Sequence, residues 1–582
     1  MLEPSPTPDE IERKVRGGES LEGLRLVECD LRGRDLSAAN LRGARLFGVK
    51  LDGANLSGAC LAGAQLHDCC LERAQLDGCD LAEASLGSCS LLGTALRNAS
   101  LRELKLIDCK LAAVDLSETE ISGAALVRCD LAGASFERGK LDDVHLDMAK
   151  LQGASFAAAT LVRATFGKAE AAGASFRGAT IEQCVFAGAD LQDADFSDAS
   201  LDSTVLAAAD LRGARLAKKM PKTILSGARL SSRDMPEDEE DERPRPDAPE
   251  IVDLAGADLF FCVLSGIDLT GASFEGARLE MADLSSCELS GANFAKADLQ
   301  QCNLSQANLT SVDLSDQHFL LTNLSEADLS GADLSGSTFK MATLDDAKLC
   351  GANLTHAILT STSVPRADFE GATIDDTTFR HVDFSDTDMT SWQLAGHTMV
   401  RCSFQDSKLA GMDLRRCDFT EANFTGADLT QADLRGATLT RANLMKAELK
   451  LADLAGVEAE GAFFGEASLE ATKLPKASLR YATFTKASAP SADLTGAALQ
   501  ECVMREMKAV GAILAGADMA YCDLSHADVT GADLGSANLT LANLHNLKDD
   551  HARWDGARLT LVKRTDVELI EAEAWLPPRP KA

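Results

Sequence analysis

The sequence predicts an all-β solenoid whose chain turns a corner every five residues and closes a coil every twenty. Three observations predict it. From Leu21 to Leu216 an apolar residue recurs at every fifth position, and of these 40 positions only Ala171 is not Leu, Ile or Phe. A second array holds the interval over 59 positions from Leu254 to Leu544, falling to alanine only at Ala459, Ala489 and Ala509. The third is a longer period: Phe136, Phe156, Phe176 and Phe196 stand 20 apart, as do Phe384, Phe404 and Phe424, and Cys69, Cys89, Cys109 and Cys129. A period of five fits neither the 3.6 of a helix nor the 2 of a flat strand. Four pentads per coil make ladders of like side chains, stacked about 4.8 Å apart.

The elements follow in order. Residues 1–20 read as an N-terminal capping helix, with Thr7 as N-cap, Pro8 in the first turn and Glu10 closing a capping box. Ile11 and Val15 would then lie over the first coil, shielding an end that a solenoid otherwise exposes. The first array, 21–220, holds about 10 coils, or roughly 48 Å at that rise. The residue two before each centre is usually small, and the one just before the centre is often Asp or Asn, as in Asp258, Asn293 and Asp433.

Residues 221–250 interrupt the pattern. Leu225 and Leu230 are in step with each other but with neither array, and SSRDMPEDEEDERPRPDAPE (231–250) has no periodic apolar residue. So acidic and proline-rich a stretch is expected to be a flexible loop, leaving open one continuous rod or two hinged ones. The second array, 251–547, holds about 15 coils, roughly 72 Å. Residues 548–582 are expected to form a C-terminal cap and tail. Trp554 and Leu559 fit one more coil, and Val567, Leu569, Ile570 and Trp575 could form an amphipathic cover.

Composition narrows the function. The net charge is −33, which disfavours direct binding to nucleic acid or to an anionic membrane. No apolar run reaches bilayer-spanning length, and the opening MLEPSPTPDEIERKV lacks the pattern of a secretory signal. The cysteines, read as reduced thiols, imply a cytoplasmic protein. Of the 17 cysteines, 14 fall at the small inward position, Cys29, Cys79, Cys184, Cys287, Cys402 and Cys522 among them, where they act as enlarged alanines. Cys60, Cys70 and Cys350 fall elsewhere and are expected to be the more reactive thiols.

The nine histidines show no metal-ligand spacing; they are expected to be scattered surface residues, with His381 and His397 on neighbouring coils. No phosphate-binding loop, dinucleotide fingerprint or nucleophile elbow occurs. With its interior filled by Leu and Phe, the coil is expected to have no catalytic, cofactor or metal site. Charge is uneven: residues 21–220 carry about −6 and residues 251–547 about −21. The acidic positions Asp258, Asp268, Asp283, Asp298, Asp328, Asp333 and Asp368 form the candidate interaction surface.

The motif A-(D/N)-L-x-x, written ADLSGADLSG at 327–336 and ADLTQADLRGATL at 427–439, resembles the pentapeptide-repeat family. The resemblance implies a right-handed quadrilateral β-helix. It also implies a non-enzymatic scaffold for a protein partner. Large bacterial members with an N-terminal helix resemble accessory or cargo-adaptor components found beside type VI secretion genes. The small quinolone-resistance members suggest the alternative, a DNA mimic acting on a type II topoisomerase (gyrase). Duplex DNA 72 Å long would carry about 42 charges. The second array has half of that, so mimicry requires its acids to gather on one face.

Overall fold

The backbone of each pentad has five N–H groups to satisfy, and residues 55–59 show how the coil does it. Asn55 donates to Arg34 of the coil before, while Leu56 and Gly58 donate to Gln75 and Asp77 of the coil after. Ala59 donates back to Leu56, closing a β-turn at the corner, and the left-handed φ of Gly58 places that turn in the type that demands it. One donor remains, Ser57, and the Asn55 side chain accepts it at 3.1 Å. The Asp or Asn before each centre is therefore a turn cap. It satisfies the one backbone group that the coil-to-coil ladder leaves over.

The structure, a computed structural model, describes residues 6–230 and 252–574. It divides into two compact units, Met1–Asn308 and Leu309–Ala582, a division that falls inside the second array rather than at residues 221–250. Both are four-sided parallel β-solenoids. On some sides short strands form. In the first unit β1 (Arg25–Val27), β2 (Arg45–Phe47), β3 (Gln65–His67), β4 (Ser85–Gly87), β5 (Lys105–Ile107) and β7 (Ala125–Val127) make one parallel sheet. On another side β6 (Glu120–Ser122), β8 (Lys140–Asp142), β9 (Thr160–Val162), β10 (Thr180–Glu182) and β11 (Ser200–Asp202) make a second. The second unit holds one such sheet, β12 (His318–Leu320), β13 (Thr338–Lys340), β14 (Ile358–Thr360) and β15 (Thr378–Arg380). Each strand pairs in register with the one 20 residues away, as Leu26 with Leu46 and Phe319 with Phe339.

The core is the pair of inward positions. Phe136 stacks on Phe156 with centroids 4.7 Å apart, Phe156 on Phe176 at 5.0 Å, and Phe176 on Phe196 at 4.7 Å. In the second unit Phe384 and Phe404 stack at 5.5 Å, and Phe404 and Phe424 at 4.7 Å. Cys69, Cys89, Cys109 and Cys129 are buried, and all 17 cysteines are free. Trp392 departs from the rule by occupying a position that is mostly Ala or Cys elsewhere. Its Nε1 is buried without a hydrogen-bond partner, and the adjoining Gln393 makes no bridge to the coil on either side.

The phase slip has a simple geometry. The side from Leu216 to Met220 is one residue short, so Ser200 pairs with Lys219 and Val205 with Ile224. Lys219 then pairs with Asp258 and Ile224 with Val263. Met220, Leu225 and Leu230 are thus three centres of one coil, Leu254 is its fourth, and Leu259 opens the next. The acidic segment 231–250, expected to be a flexible loop, lies outside the described residues.

The ends differ. Helix α1 (Pro8–Arg16) begins with the capping box: Thr7 N–H donates to Glu10 Oε2 at 2.8 Å, and Glu10 N–H to Thr7 Oγ1 at 3.4 Å. Ile11 is buried and Val15 half-buried. At the other end Arg553, Arg558 and Lys563 continue the ladder, so the winding runs past residue 548. Helix α2 (Val567–Glu573) does not form the expected amphipathic cover. Val567 and Leu569 are exposed and only Ile570 is half-buried, because Glu573 draws the helix toward His526 and His545. Trp575 lies outside the described residues.

Candidate interaction surface

All seven aspartates singled out by sequence serve as turn caps. Asp258 accepts from Phe260 N–H at 3.3 Å, Asp268 from Thr270 at 2.9 Å, Asp283 from Ser285 at 3.0 Å and Asp298 from Gln300 at 3.2 Å. In the second unit Asp328 accepts from Ser330 at 3.1 Å, Asp333 from Ser335 at 3.0 Å and Asp368 from Glu370 at 3.0 Å. They do not form one patch. In the first unit Asp258 and Asp298 share a column, while Asp268 and Asp283 sit on two other sides. In the second, Asp328 and Asp368 share a column and Asp333 lies on the next side.

Bases interleave with these acids. Arg278 pairs in the ladder with both Asp258 and Asp298, its guanidinium 3.7 Å from Asp258 and stacked over the Phe260 ring at 4.3 Å. Lys348 stands between Asp328 and Asp368, 3.6 Å from Asp328, and Lys408 stands between Asp388 and Asp428, 3.3 Å from Asp388. Each base offsets one of the two aspartates it stands between.

The thiols expected to be reactive are half-buried beside carboxylates. Cys70 Sγ donates to Asp52 Oδ1 at 2.7 Å; desolvation, then that carboxylate, pushes the thiol up from its ordinary pKa. Desolvation, then Asp368, does the same to Cys350, and Cys60 lies 3.8 Å from Asp80. Thiols held protonated are poor nucleophiles. Burial pushes the inward Cys79 and Cys184 up to about 11.

Nor are all the histidines at the surface. The half-buried His397 sits at a small inward position, its ring nitrogens 3.1 and 3.2 Å from the carbonyls of Leu394 and Ile374. His545 is buried. Its Nε2 lies 3.4 Å from Glu573 Oε2, with His526 Nε2 3.1 Å from the same oxygen. The three side chains could hold a cation by distance alone, but the protons argue otherwise. Asp566 N–H donates to His545 Nδ1 at 3.1 Å, which places the His545 proton on Nε2, the atom a metal would need bare. The cluster ties α2 to the last coils.

Sequence reading missed the exposed apolar columns. The chain has two tyrosines, and Tyr481 and Tyr521 share one corner with Leu541 and Leu561, all exposed and all at left-handed φ between 55° and 63°. A second column, Val27, Phe47 and Ile107, lies on the sheet of β1–β5 and β7. The missed signal was large apolar residues recurring every 20 at positions after the centre, where the repeat otherwise places Gly or polar residues.

Models of the pentapeptide repeat match residues 25–112, 182–217 and most of 253–548, and a second pentapeptide-repeat model matches 99–176. The chain belongs to the pentapeptide-repeat family. Among solved structures it is similar to HetL, a pentapeptide-repeat protein involved in heterocyst differentiation regulation from the cyanobacterium Nostoc sp. PCC 7120. Identity is 23% over 52% of this chain and 88% of that one, with a TM-score of 0.12. It is also similar to QnrB1, a plasmid-mediated fluoroquinolone resistance protein, at 22% identity over 31% and 97% of the two chains, with a TM-score of 0.15. Rfr23 from the cyanobacterium Cyanothece 51142 is 25% identical over 21% and 89%, with a TM-score of 0.11. No curated protein sequence matches the chain. Among the described residues no helix is long and apolar enough to cross a membrane.

Proposed function

We propose that this pentapeptide-repeat protein is a rigid, non-enzymatic scaffold that presents its outer sides to protein partners. The observation that carries this reading is the filled interior. Both inward positions of nearly every pentad are buried side chains stacked coil on coil, so what the fold offers is outer surface rather than a cleft. Seventeen free thiols support a reducing compartment, the cytoplasm. A cargo-adaptor or accessory role in type VI secretion is the finer form of the proposal, supported by likeness of architecture alone. DNA mimicry of a gyrase substrate fits less well. The acids lie on several sides of each unit and bases interrupt their columns, whereas a duplex presents uninterrupted charge.

The test is affinity capture of the full chain from its host, followed by reconstitution with purified components. A stoichiometric complex that reassembles supports the scaffold. Turnover of a small-molecule substrate by the purified chain, or gyrase inhibition at micromolar concentration, would replace it.

A further inference from the structure

We propose that the outer face of the sheet β1–β5 and β7 is a docking site for an extended acidic protein segment. The proposal rests on the scaffold reading and names the site and its partner's chemistry. Two columns of outward side chains line this face. One is Val27, Phe47, His67, Gly87, Ile107 and Val127; the other begins with Arg25 and Arg45 and includes Lys105.

The first column is an apolar strip with a notch. Val27 is 64% exposed and Phe47 49%, on a surface where the repeat elsewhere places polar residues. The His67 ring stacks on Phe47, with centroids 5.4 Å apart and planes 7° from parallel, held by Asp68 Oδ2 at 2.9 Å from its Nδ1. The next position is Gly87, where a Cβ would meet the His67 ring at 3.2 Å. The missing side chain leaves a gap between His67 and Ile107 in a shallow groove of about 560 Å³.

The second column gives the charge. Arg25, Arg45 and Lys105 are exposed, and among the described residues none of the three takes part in an ion pair. On the neighbouring sheet, by contrast, Lys140 is paired with Glu120 and Arg163 with Asp142. Three unpaired cations along an apolar strip, in a chain of net charge −33, call for carboxylates from outside. The far edge of the strip carries Glu28, Asp68 and Asp108, so the attractive band is narrow. That width admits one extended strand and turns away a duplex or an anionic lipid surface. From Arg25 to Lys105 is four coils, roughly 19 Å, which about six extended residues cover.

The probe is a fluorescein-labelled octapeptide of alternating Glu and Leu, read by anisotropy against the full chain. Saturable binding is expected. It should weaken about tenfold in Arg25→Gln/Arg45→Gln/Lys105→Gln and in Phe47→Ser, and vanish when Lys replaces Glu in the peptide. Both variants are surface changes, and unchanged thermal melts will show that they fold. Equal affinity for parent and variants, or no saturation by about 1 mM, would overturn the proposal. So would a dimer that sedimentation shows Phe47→Ser to dissociate, which would assign the face to a second copy. Competition by duplex DNA or phosphatidylserine vesicles would assign it to phosphate. Partners captured equally by parent and variants would overturn this face and leave the scaffold standing.

Discussion

Ile224 and Val263 pair as direct neighbours in the ladder although 39 residues separate them where the repeat sets 20. Met220 N–H donates to Asp258 and Leu225 N–H to Val263 at 2.9 and 2.7 Å, distances like those anywhere else in the first unit. The stacking of these coils therefore does not need the 19 extra residues. Excising residues 232–250 sets Leu230 and Leu254 five apart. We expect the melting temperature to change by less than the equivalent of about 1 kcal/mol, since closing a long loop is a slowly varying entropy cost. A large fall in the thermal melt would show that the segment contributes contacts.

The five-residue period was legible because each pentad obeys its own inside–outside rule, and burying the centre forces the same residue types at every coil. The Phe and Cys ladders were legible for the same reason. Residues 216–230 were harder. LAKKM shortens one side by a residue, and a period search cannot see that Met220 replaces the expected centre. The acidic positions were visible, but their meaning was not. Only the hydrogen-bond accounting shows that Asp258 and Asp328 cap turns, and only the stacking shows Arg278 or Lys348 entering their columns. The cluster of Glu573 with His545 joins side chains far apart in sequence through a helix whose docking no periodicity encodes.

Leu394 is fully buried two residues after Trp392, whose Nε1 has no hydrogen-bond partner. Leu394→Asp would place a carboxylate with no cation among apolar neighbours, a change that costs about 3–5 kcal/mol. Because coils contact only their neighbours, the loss should be local. Hydrogen exchange should accelerate over roughly one coil on each side and remain slow elsewhere in the second unit. An unchanged melt and exchange pattern would mean that the side chain can turn outward.

Phe156 is stacked between Phe136 and Phe176 and meets Phe166 edge-on at 5.5 Å. Phe156→Ala removes a ring from a column that cannot collapse, because the coil spacing is fixed by backbone hydrogen bonds. A loss of about 3–5 kcal/mol is expected in denaturant unfolding. Phe156→Leu restores the residue most common at that position and should recover more than half of it. Equal losses in both variants would make ring stacking, rather than volume, the source of stability.

Acid should destabilise the solenoid through its turn caps. The hydroxyls of Ser315, Thr390 and Thr530, then desolvation and backbone N–H groups in varying order, act on Asp313, Asp388 and Asp528, and the net effect holds these carboxyls below their ordinary pKa. Arg32 holds Asp30 lower still, at about 2. A depressed folded pKa means that the unfolded chain binds the extra proton first. The stabilisation is thus complete above about pH 4 to 5 and is lost as pH falls toward 2. Asn353 and Asn423 make the same caps with neutral amides, accepting from Thr355 and Thr425 at 3.1 and 3.2 Å. Asp313→Asn/Asp388→Asn/Asp528→Asn should therefore melt like the parent at pH 7 and lose less stability by pH 3. Parallel pH profiles for parent and variant would show that the caps do not carry the acid sensitivity.

The C-terminal helix hangs on one carboxylate. Glu573 Oε2 takes the Nε2 protons of His526 and His545, and Asp566 N–H fixes the His545 tautomer from the other side of the ring. The helix buries no side chain of its own, so this contact has little apolar packing behind it. Glu573→Ala should release α2, seen as rapid amide exchange over residues 567–573 and new protease cleavage there, while the melt of the coils stays unchanged. Because both Nε2 atoms already carry protons, zinc at tenfold excess should not raise the melting temperature. A rise that Glu573→Ala abolishes would show that the imidazoles give up those protons to a metal, and that the cluster is a cation site rather than a tether.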